Sequence, residues 1–318
     1  MNSLETNILV CPHCKVDFVV ANAYIEPKSY ALSGLTGLKV QINSCELENY
    51  ELKCRNCSEN FNLILKIDGC FYMSYPYEYL IAGDDVIKFS NYMLAQLNGY
   101  ISYTLLETAS CSVVGNLAAN EFANFISPFI NNGKNLLDIG CGPQSLPSYI
   151  PSHIETMNLF GLDPIKSEFI GNFIKGTAES IPLKSESMDY IICATSLDHF
   201  FDLRKSLMEI IRVLKKGGYI FIWDHVQSEK KFIDFSLLKS SIKKILSIFY
   251  REKRIFKNIF IYENGVVLRN PPGYSDPFHN SLSKSSKWNQ IWRNVLSHNN
   301  IMEILENKEK GFSIWVKN

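Results

Sequence analysis

Asp138, Gly140 and Gly142 have the spacing of a nucleotide-binding turn, and the charge of Asp138 limits which nucleotide that turn can hold. They close the run Leu136-Leu137-Asp138-Ile139-Gly140-Cys141-Gly142. In a dinucleotide-binding Gly-x-Gly turn, glycine amides and a helix N-terminus face an anionic pyrophosphate, and a carboxylate two residues ahead of the first glycine repels it. A cationic ligand reverses the sign of that interaction. The glycines let the backbone approach its ligand and adopt positive φ. Asp163 ends the next apolar run, Leu159-Phe160-Gly161-Leu162-Asp163, 25 residues beyond Asp138. A carboxylate at such a strand end can accept both hydroxyls of a ribose.

A second chemistry is written in cysteine. Cys11-Pro12-His13-Cys14 and Cys54-Arg55-Asn56-Cys57 are two knuckles separated by 39 residues. Two thiolates from each turn complete a tetrahedral Zn²⁺ shell at about 2.3 Å, and a small domain with little core gains its fold from such a metal. The usual spacing is roughly 15–20 residues, so an insertion between the knuckles is expected. Cys45, Cys70, Cys111, Cys141 and Cys193 are scattered among apolar or loop residues. That usage suits metal thiolates and buried thiols in a reducing compartment rather than a disulfide framework.

The elements that must position these groups follow from periodicity. Strands are expected at 135–139, 158–162, 173–175, 189–194 and 218–223, with a helix at 202–215 whose apolar face is Leu203, Leu207, Ile210, Ile211 and Leu214. Asp202 is its N-cap, and Lys215-Lys216-Gly217-Gly218 supplies a basic end and a glycine stop. Strands alternating with helices predict a parallel sheet covered on both faces. Ahead of it, Leu117, Phe122, Phe125, Ile126 and Phe129 recur at near-helical spacing, and the tyrosines of 75–132, among them Tyr92, Tyr100 and Tyr103, read as core and surface packing, with the lining of a substrate mouth as the alternative. Residues 301–305 and 312–317 read as a closing hairpin, and 228–287 as an insertion over the carboxyl ends of the strands. The expected domains are 1–74 and 75–318, with 228–287 a lid.

The order of these motifs resembles the class I S-adenosylmethionine-dependent methyltransferases of the type 11 kind. Asp138-Ile139-Gly140-Cys141-Gly142 matches the first motif and Asp163 the end of the second strand. Gly176-Thr177-Ala178-Glu179-Ser180-Ile181-Pro182-Leu183 matches the third-strand loop beside the adenine. Ser187-Met188-Asp189-Tyr190-Ile191-Ile192 matches the fourth strand, and Val213-Leu214-Lys215-Lys216-Gly217-Gly218-Tyr219-Ile220 the turn into the fifth. The resemblance spans 134–224. It implies an α/β, Rossmann-like seven-stranded sheet with a lid inserted after the fifth strand, and S-adenosylmethionine held by Asp138, Gly140, Cys141, Gly142, Asp163, Thr177, Ala178, Glu179 and Thr195. Within 1–74, the order of two knuckles, the short strand Phe61-Asn62-Leu63-Ile64-Leu65 and Asp68-Gly69 resembles, over about 25 residues, the small zinc-ribbon domains related to methyltransferase-activating subunits, with Cys11, Cys14, Cys54 and Cys57 as structural Zn²⁺ ligands. Three departures stand out. Gln144 replaces the third glycine, Thr177 stands where aspartate usually meets the adenine amino group with Glu179 to compensate, and the helix after Asp163 must be short. Asp189 reads as a strand-start turn residue.

Methyl transfer from a sulfonium needs in-line positioning and a base for the acceptor's proton. Thr195-Ser196-Leu197-Asp198-His199-Phe200 follows the fourth strand, so His199 is the first candidate base, oriented by Asp198. His225, after Trp223-Asp224, is the second, and the lid carries Asp276-Pro277-Phe278-His279. His13, His153 and His298 read as loop or surface residues. Lys239, Lys243, Lys244, Arg251, Lys253, Arg254 and Lys257 interleave with apolar residues over 239–260. The plain reading is a solvated helix face. The same pattern can also meet a membrane surface peripherally or receive a phosphate-bearing substrate.

Charge and length narrow the field further. Thirty-two basic residues balance 32 acidic ones, which argues against a protein that grips nucleic acid by global charge. No apolar run approaches the roughly 20 residues of a membrane-spanning helix, and the first ten residues do not read as a signal peptide, so a cytoplasmic protein is expected. The first functional reading is a methyltransferase for a small polar acceptor, with O-methylation of a sugar or related metabolite foremost. The alternatives are an rRNA or tRNA base methyltransferase, because zinc knuckles also precede this catalytic domain in an rRNA guanine methyltransferase family, and a non-catalytic partner or scaffold protein.

Overall fold

The computed structural model of the chain describes residues 8–26, 47–65, 70–74, 92–93, 96, 116–142, 146–151, 158–165, 169–224, 259–262, 265–268 and 288–318. Four strands come first: β1 (Phe18–Glu26), β2 (Leu47–Cys54), β3 (Asn60–Leu65) and β4 (Phe71–Ser74), each antiparallel to its predecessor. Helix α1 (Leu117–Ile126) follows, and then the five parallel strands β5 (Asn135–Ile139), β6 (Asn158–Asp163), β7 (Asn172–Lys175), β8 (Met188–Ala194) and β9 (Leu214–Trp223). Helix α2 (Leu203–Val213) joins β8 to β9. A separate hairpin pairs β10 (Ile259–Tyr262) with β11 (Gly265–Leu268). The chain closes with helix α3 (Trp288–His298), β12 (Ile301–Asn307) and β13 (Phe312–Lys317).

The last seven strands of the main sheet lie in the order β7-β6-β5-β8-β9-β13-β12, with β13 antiparallel to both its neighbours. This is the seven-stranded mixed sheet expected from the sequence. The sheet is nevertheless larger than that expectation, because β1 to β4 continue it to eleven strands. The junction is parallel: Tyr72, Met73 and Ser74 face Phe173, Ile174 and Lys175. Asn172 Oδ1 accepts the Phe71 amide at 3.0 Å where the pairing begins. Left alone, β7 would offer an unpaired row of amides and carbonyls, and β4 covers that edge.

Alternating side chains feed both faces of the parallel strands. Leu137, Ile139, Ile191 and Cys193 join one buried cluster with Leu207, Ile210 and Trp292. Leu136, Tyr190 and Ile192 join the other with Phe122, Phe173 and Phe221. The first cluster also contains Leu9, Leu52, Phe61, Leu63, Phe71 and Met73, so the cysteine-bearing segment and the parallel sheet share one core.

Capping explains the helix starts. Asn116 accepts the Ala119 amide at 3.1 Å and Asp202 the Lys205 amide at 3.0 Å. Helix α1 buries Ala119, Phe122, Ala123 and Ile126, and gives way at Ser127-Pro128 to a short 3-10 turn. Helix α2 ends at Val213, two residues before the expected stop, and β9 begins at once with Leu214 opposite Met188. The cause is local. The amides of Glu186 and Ser187 bond the carbonyls of Arg212 and Val213, the Lys215 amine is held 2.8 Å from Asp189, and Gly217 supplies φ +72° within the strand. Asp189 also accepts the Asn135 amide at 3.0 Å, the structural role expected of it.

Tyr92 is buried and meets Phe201 edge-on at 5.4 Å, while Tyr100 and Tyr103 lie outside the described residues. So does most of 228–287, of which only β10 and β11 are described. Among the described residues no helix is long and apolar enough to cross a membrane.

Candidate active site and the four-cysteine cluster

Strand order reverses at β5, which has β6 on one side and β8 on the other. The loops leaving the carboxyl ends of these two directions diverge there, and open α/β sheets hold their ligands in that crevice. The turn after β5 is wedged into it. Gly140 and Gly142 have φ of +77° and +70°, and the Gly140 amide donates to Leu162 O at 2.7 Å. A Cβ on Gly140 would lie 2.7 Å from Ser196 Cβ, so only glycine fits between β6 and the loop after β8.

Two carboxylates flank this turn. Asp138 is fully buried, and its Oδ2 accepts the Tyr149 hydroxyl at 2.8 Å while Oδ1 has no hydrogen-bond partner. Burial pushes its carboxyl up to about 8; the Tyr149 hydroxyl opposes that rise and the nearby Asp163 adds to it. Asp163 accepts the Gly142 amide through Oδ2 at 3.1 Å and the Ile165 amide through Oδ1 at 2.8 Å. Burial raises it to about 6 against those two amides. A cation entering the crevice would relieve both groups, whereas a phosphate would meet two carboxylates.

The loop after β7 is drawn to the same place, since the Gly176 amide donates to Asp163 O at 3.0 Å. Thr177, Ala178 and Glu179 are all buried. Glu179 Oε1 accepts the Asp202 amide at 3.0 Å, but Glu179 Oε2 and the Thr177 hydroxyl are buried without a partner. Unpaired buried polar atoms are costly, so Asp138 Oδ1, Thr177 Oγ1 and Glu179 Oε2 are suited to a polar ligand that completes their bonding.

Cys141 is buried behind the turn, with its Sγ 3.8 Å from Gly142 O. Thr195 follows β8 directly at φ +52°, and its amide donates to Trp223 O at 2.7 Å. A β-branched residue in the left-handed region is a backbone outlier, and such strain concentrates at functional sites. Nothing in its residue type announced this. Asp198 and His199 share the next 3-10 turn, Leu197–His199. Asp198 is buried, the His199 side chain is 39% exposed, and His199 Nε2 lies 3.8 Å from Asp198 Oδ1.

Asp224, at the end of β9, was not singled out by its sequence context. It is buried, and its Oδ2 accepts the indole N–H groups of Trp288 at 3.0 Å and Trp292 at 3.1 Å, pinning α3 against the strand end. The i, i+4 spacing of those tryptophans was the available signal. His225, His153, Asp276, His279 and Gln144 lie outside the described residues. His13 is exposed and His298 Nδ1 is 2.6 Å from Asn294 O, in keeping with surface roles.

A model described as a methyltransferase domain matches residues 137–222. Residues 137–222 are thus similar to a methyltransferase domain. The chain is 42% identical over 62 residues to the uncharacterized methyltransferase YcgJ of Bacillus subtilis, covering 20% of this chain and 24% of that one. It is 26% identical over 118 residues to the ubiquinone/menaquinone biosynthesis C-methyltransferase UbiE of Campylobacter jejuni, covering 33% and 50%. The chain thus spans between about a quarter and a half of the curated relatives it matches. Among solved structures, a SAM-dependent methyltransferase from Aquifex aeolicus aligns with 64% of this chain and 93% of its own at 15% identity and a TM-score of 0.40.

Away from the methyltransferase domain's crevice, the two knuckles have the same backbone geometry. Lys15 N donates to Cys11 O at 2.8 Å and Ser58 N to Cys54 O at 3.2 Å, with Lys15 and Ser58 at φ +60° and +61°. Sulfurs accept amides in both: Cys14 N to Cys11 Sγ at 3.4 Å and Asn56 N to Cys54 Sγ at 3.3 Å. The four Sγ atoms lie within 4.8 Å of one another, and Cys11 and Cys57 are 3.7 Å apart. A tetrahedron with metal–sulfur bonds of about 2.3 Å has edges of roughly 3.8 Å, so the donor set fits a zinc ion.

Proposed function

We propose that this protein is an S-adenosylmethionine-dependent methyltransferase that methylates an oxygen of a small polar acceptor, such as a sugar or related metabolite, and that Cys11, Cys14, Cys54 and Cys57 hold a structural Zn²⁺. The observation that carries the cofactor assignment is the pairing of Asp138 and Asp163 around the Gly140–Gly142 turn at the switch point of the sheet. Asp163 has lone pairs left for the ribose hydroxyls, and Asp138 Oδ1 is available to a positively charged amino group. Thr177, Ala178 and Glu179 line the adenine side. The bound cofactor supplies an electrophilic methyl on a sulfonium whose thioether leaves uncharged.

The chain's own task is then to orient the acceptor and remove its proton. His199 stands at the carboxyl end of β8 with one ring nitrogen near Asp198, and an imidazole so placed can take a hydroxyl proton at neutral pH while the carboxylate steadies the charge. His225 follows Asp224, whose bonds to two indoles fix the chain where it leaves β9, and is the second candidate base. Balanced charge favours a metabolite over RNA.

The test is transfer of label from S-adenosylmethionine carrying a labelled methyl into fractionated cell extract. Label in small glycans or metabolites supports the proposal; label in RNA contradicts it. On the acceptor so identified, His199→Ala is expected to lower turnover by about 10²-fold without changing cofactor affinity. Unchanged turnover passes the role to His225.

A further inference from the structure

The loop 177–183 has two faces. On one, the Thr177 hydroxyl and Glu179 Oε2 are buried without a hydrogen-bond partner. Its other face is bonded to the first knuckle. The Ser180 hydroxyl donates to Pro12 O at 2.8 Å, Val10 N to Pro182 O at 3.0 Å, and Lys184 N to Ile8 O at 2.9 Å. Pro12 lies between the metal-type cysteines Cys11 and Cys14, and Lys15 follows them directly.

Lys15 continues the connection through Glu209 of α2. Its amine is 2.6 Å from Glu209 Oε2 and 3.4 Å from Ile181 O. The same Oε2 accepts the Ile181 amide at 2.9 Å, and Arg212 bonds Glu209 at 2.8 and 2.9 Å, Ile181 O at 2.8 Å and Leu183 O at 2.7 Å. Within the loop, by contrast, the bond from Ser180 N to Thr177 O is a long one at 3.3 Å. The loop's position is therefore set largely by its neighbours, and the knuckle is one of them.

We infer that the four-cysteine knuckle is a positioning element for the cofactor: metal at Cys11, Cys14, Cys54 and Cys57 fixes the Pro12–Lys15 turn, which holds the 177–183 loop where it meets the adenine. The inference rests on the cofactor and zinc assignments proposed above. Metal loss releases the constraint that brings Pro12 O to Ser180 and Lys15 to Glu209, and the loop pays in ordering what it had been given in position. The consequence is that Zn²⁺ and S-adenosylmethionine bind cooperatively at separate sites, each raising the affinity of the other.

The experiment compares full-length protein loaded with Zn²⁺ and the same protein stripped by chelator, with metal content measured by mass spectrometry, folding by near-ultraviolet circular dichroism and S-adenosylmethionine affinity by calorimetry. Stripping is expected to weaken the cofactor by about tenfold or more, and re-addition of Zn²⁺ to restore it. Should stripping unfold the chain, the double substitution Lys15→Ala with Ser180→Ala decides. It leaves all four thiols and both carboxylates in place, and is expected to keep its zinc yet bind the cofactor about fivefold or more weakly, with Ser180→Thr in place of Ser180→Ala recovering part of the loss. Unchanged affinity in the folded stripped protein, or in the zinc-loaded double variant, overturns the coupling. Native protein that takes up no Zn²⁺, or that takes it up and binds no cofactor, overturns the underlying assignments instead, and the two results are distinct.

Discussion

The two ends of the parallel junction between β4 and β7 are built on different physics. On the β7 side, five parallel strands are buried on both faces, and Leu136, Leu137, Ile191, Ile192 and Phe221 are fully excluded from water. Their geometry follows from apolar burial and ladder hydrogen bonds. On the β4 side, four antiparallel strands hang from two short knuckles, and part of the surface is apolar and wet, with Val20 47% exposed. Its register depends on bringing residues 11–14 next to 54–57, which loop closure over that distance opposes and a metal ion held there would offset. A strand pairing and a shared core join the halves, so the weaker one is stabilised by the stronger and in return touches its ligand loop.

The largest expected effect separates the halves. Substituting Cys54→Ser should remove Zn²⁺ and with it the hydrogen-exchange protection of β1, β2 and β3, while β5 and β8 stay protected. Equal loss in both halves, followed by exchange mass spectrometry, would make them one cooperative unit. Next in size is Asp163→Ala, which acts only on the parallel half. It removes a charged acceptor from the ribose and from the Gly142 amide, and should weaken S-adenosylmethionine by roughly 1.5–3 kcal/mol in calorimetry with zinc content unchanged. Affinity equal to that of the native chain would displace Asp163 from the site.

The third effect is a pH dependence that originates in the parallel half. Asp138 and Asp163 have raised carboxyls, to about 8 and about 6. The folded, ligand-free protein therefore binds protons more tightly than the unfolded chain. The stability this contributes is complete below the ordinary carboxylate range and is lost as pH rises through those values. Glu209, lowered despite its burial by Arg212 and Lys15, acts in the opposite sense but below the ordinary glutamate range. The melting temperature of zinc-loaded protein should fall from about pH 5 to about pH 8.5, and fall less when S-adenosylmethionine offsets the buried charge. A melting temperature that rises over that interval contradicts the burial of Asp138.

Much of the parallel half could be read from the chain because its signals are local. Strand ends at Asp138 and Asp163, the Asp202 cap and the closing hairpin each depend on a few consecutive residues. The paired cysteines were equally plain. What stayed hidden is non-local. Nothing in Phe71–Ser74 says that it will lie parallel to Asn172–Lys175 rather than close a small domain of its own. Glu209 reads as an ordinary charged residue of an amphipathic helix, yet it takes contacts from Lys15, 194 positions away. Thr195 gives no hint of φ +52°, since its amide partner, Trp223 O, lies 28 positions away. Asp224 gained its partners from a helix more than sixty residues later. The positions of the two strand-end carboxylates were thus legible, and the contacts that join this half to the cysteine-bearing segment were not.

The central claim is that Asp138 and Asp163 clasp a cationic methyl donor. Calorimetric titration of the zinc-loaded native chain with S-adenosylmethionine, and in parallel with the pyrophosphate-bearing dinucleotide NAD⁺, tests it most directly. The account predicts saturable one-to-one binding of S-adenosylmethionine and none of NAD⁺. Binding of NAD⁺ without binding of S-adenosylmethionine would contradict it.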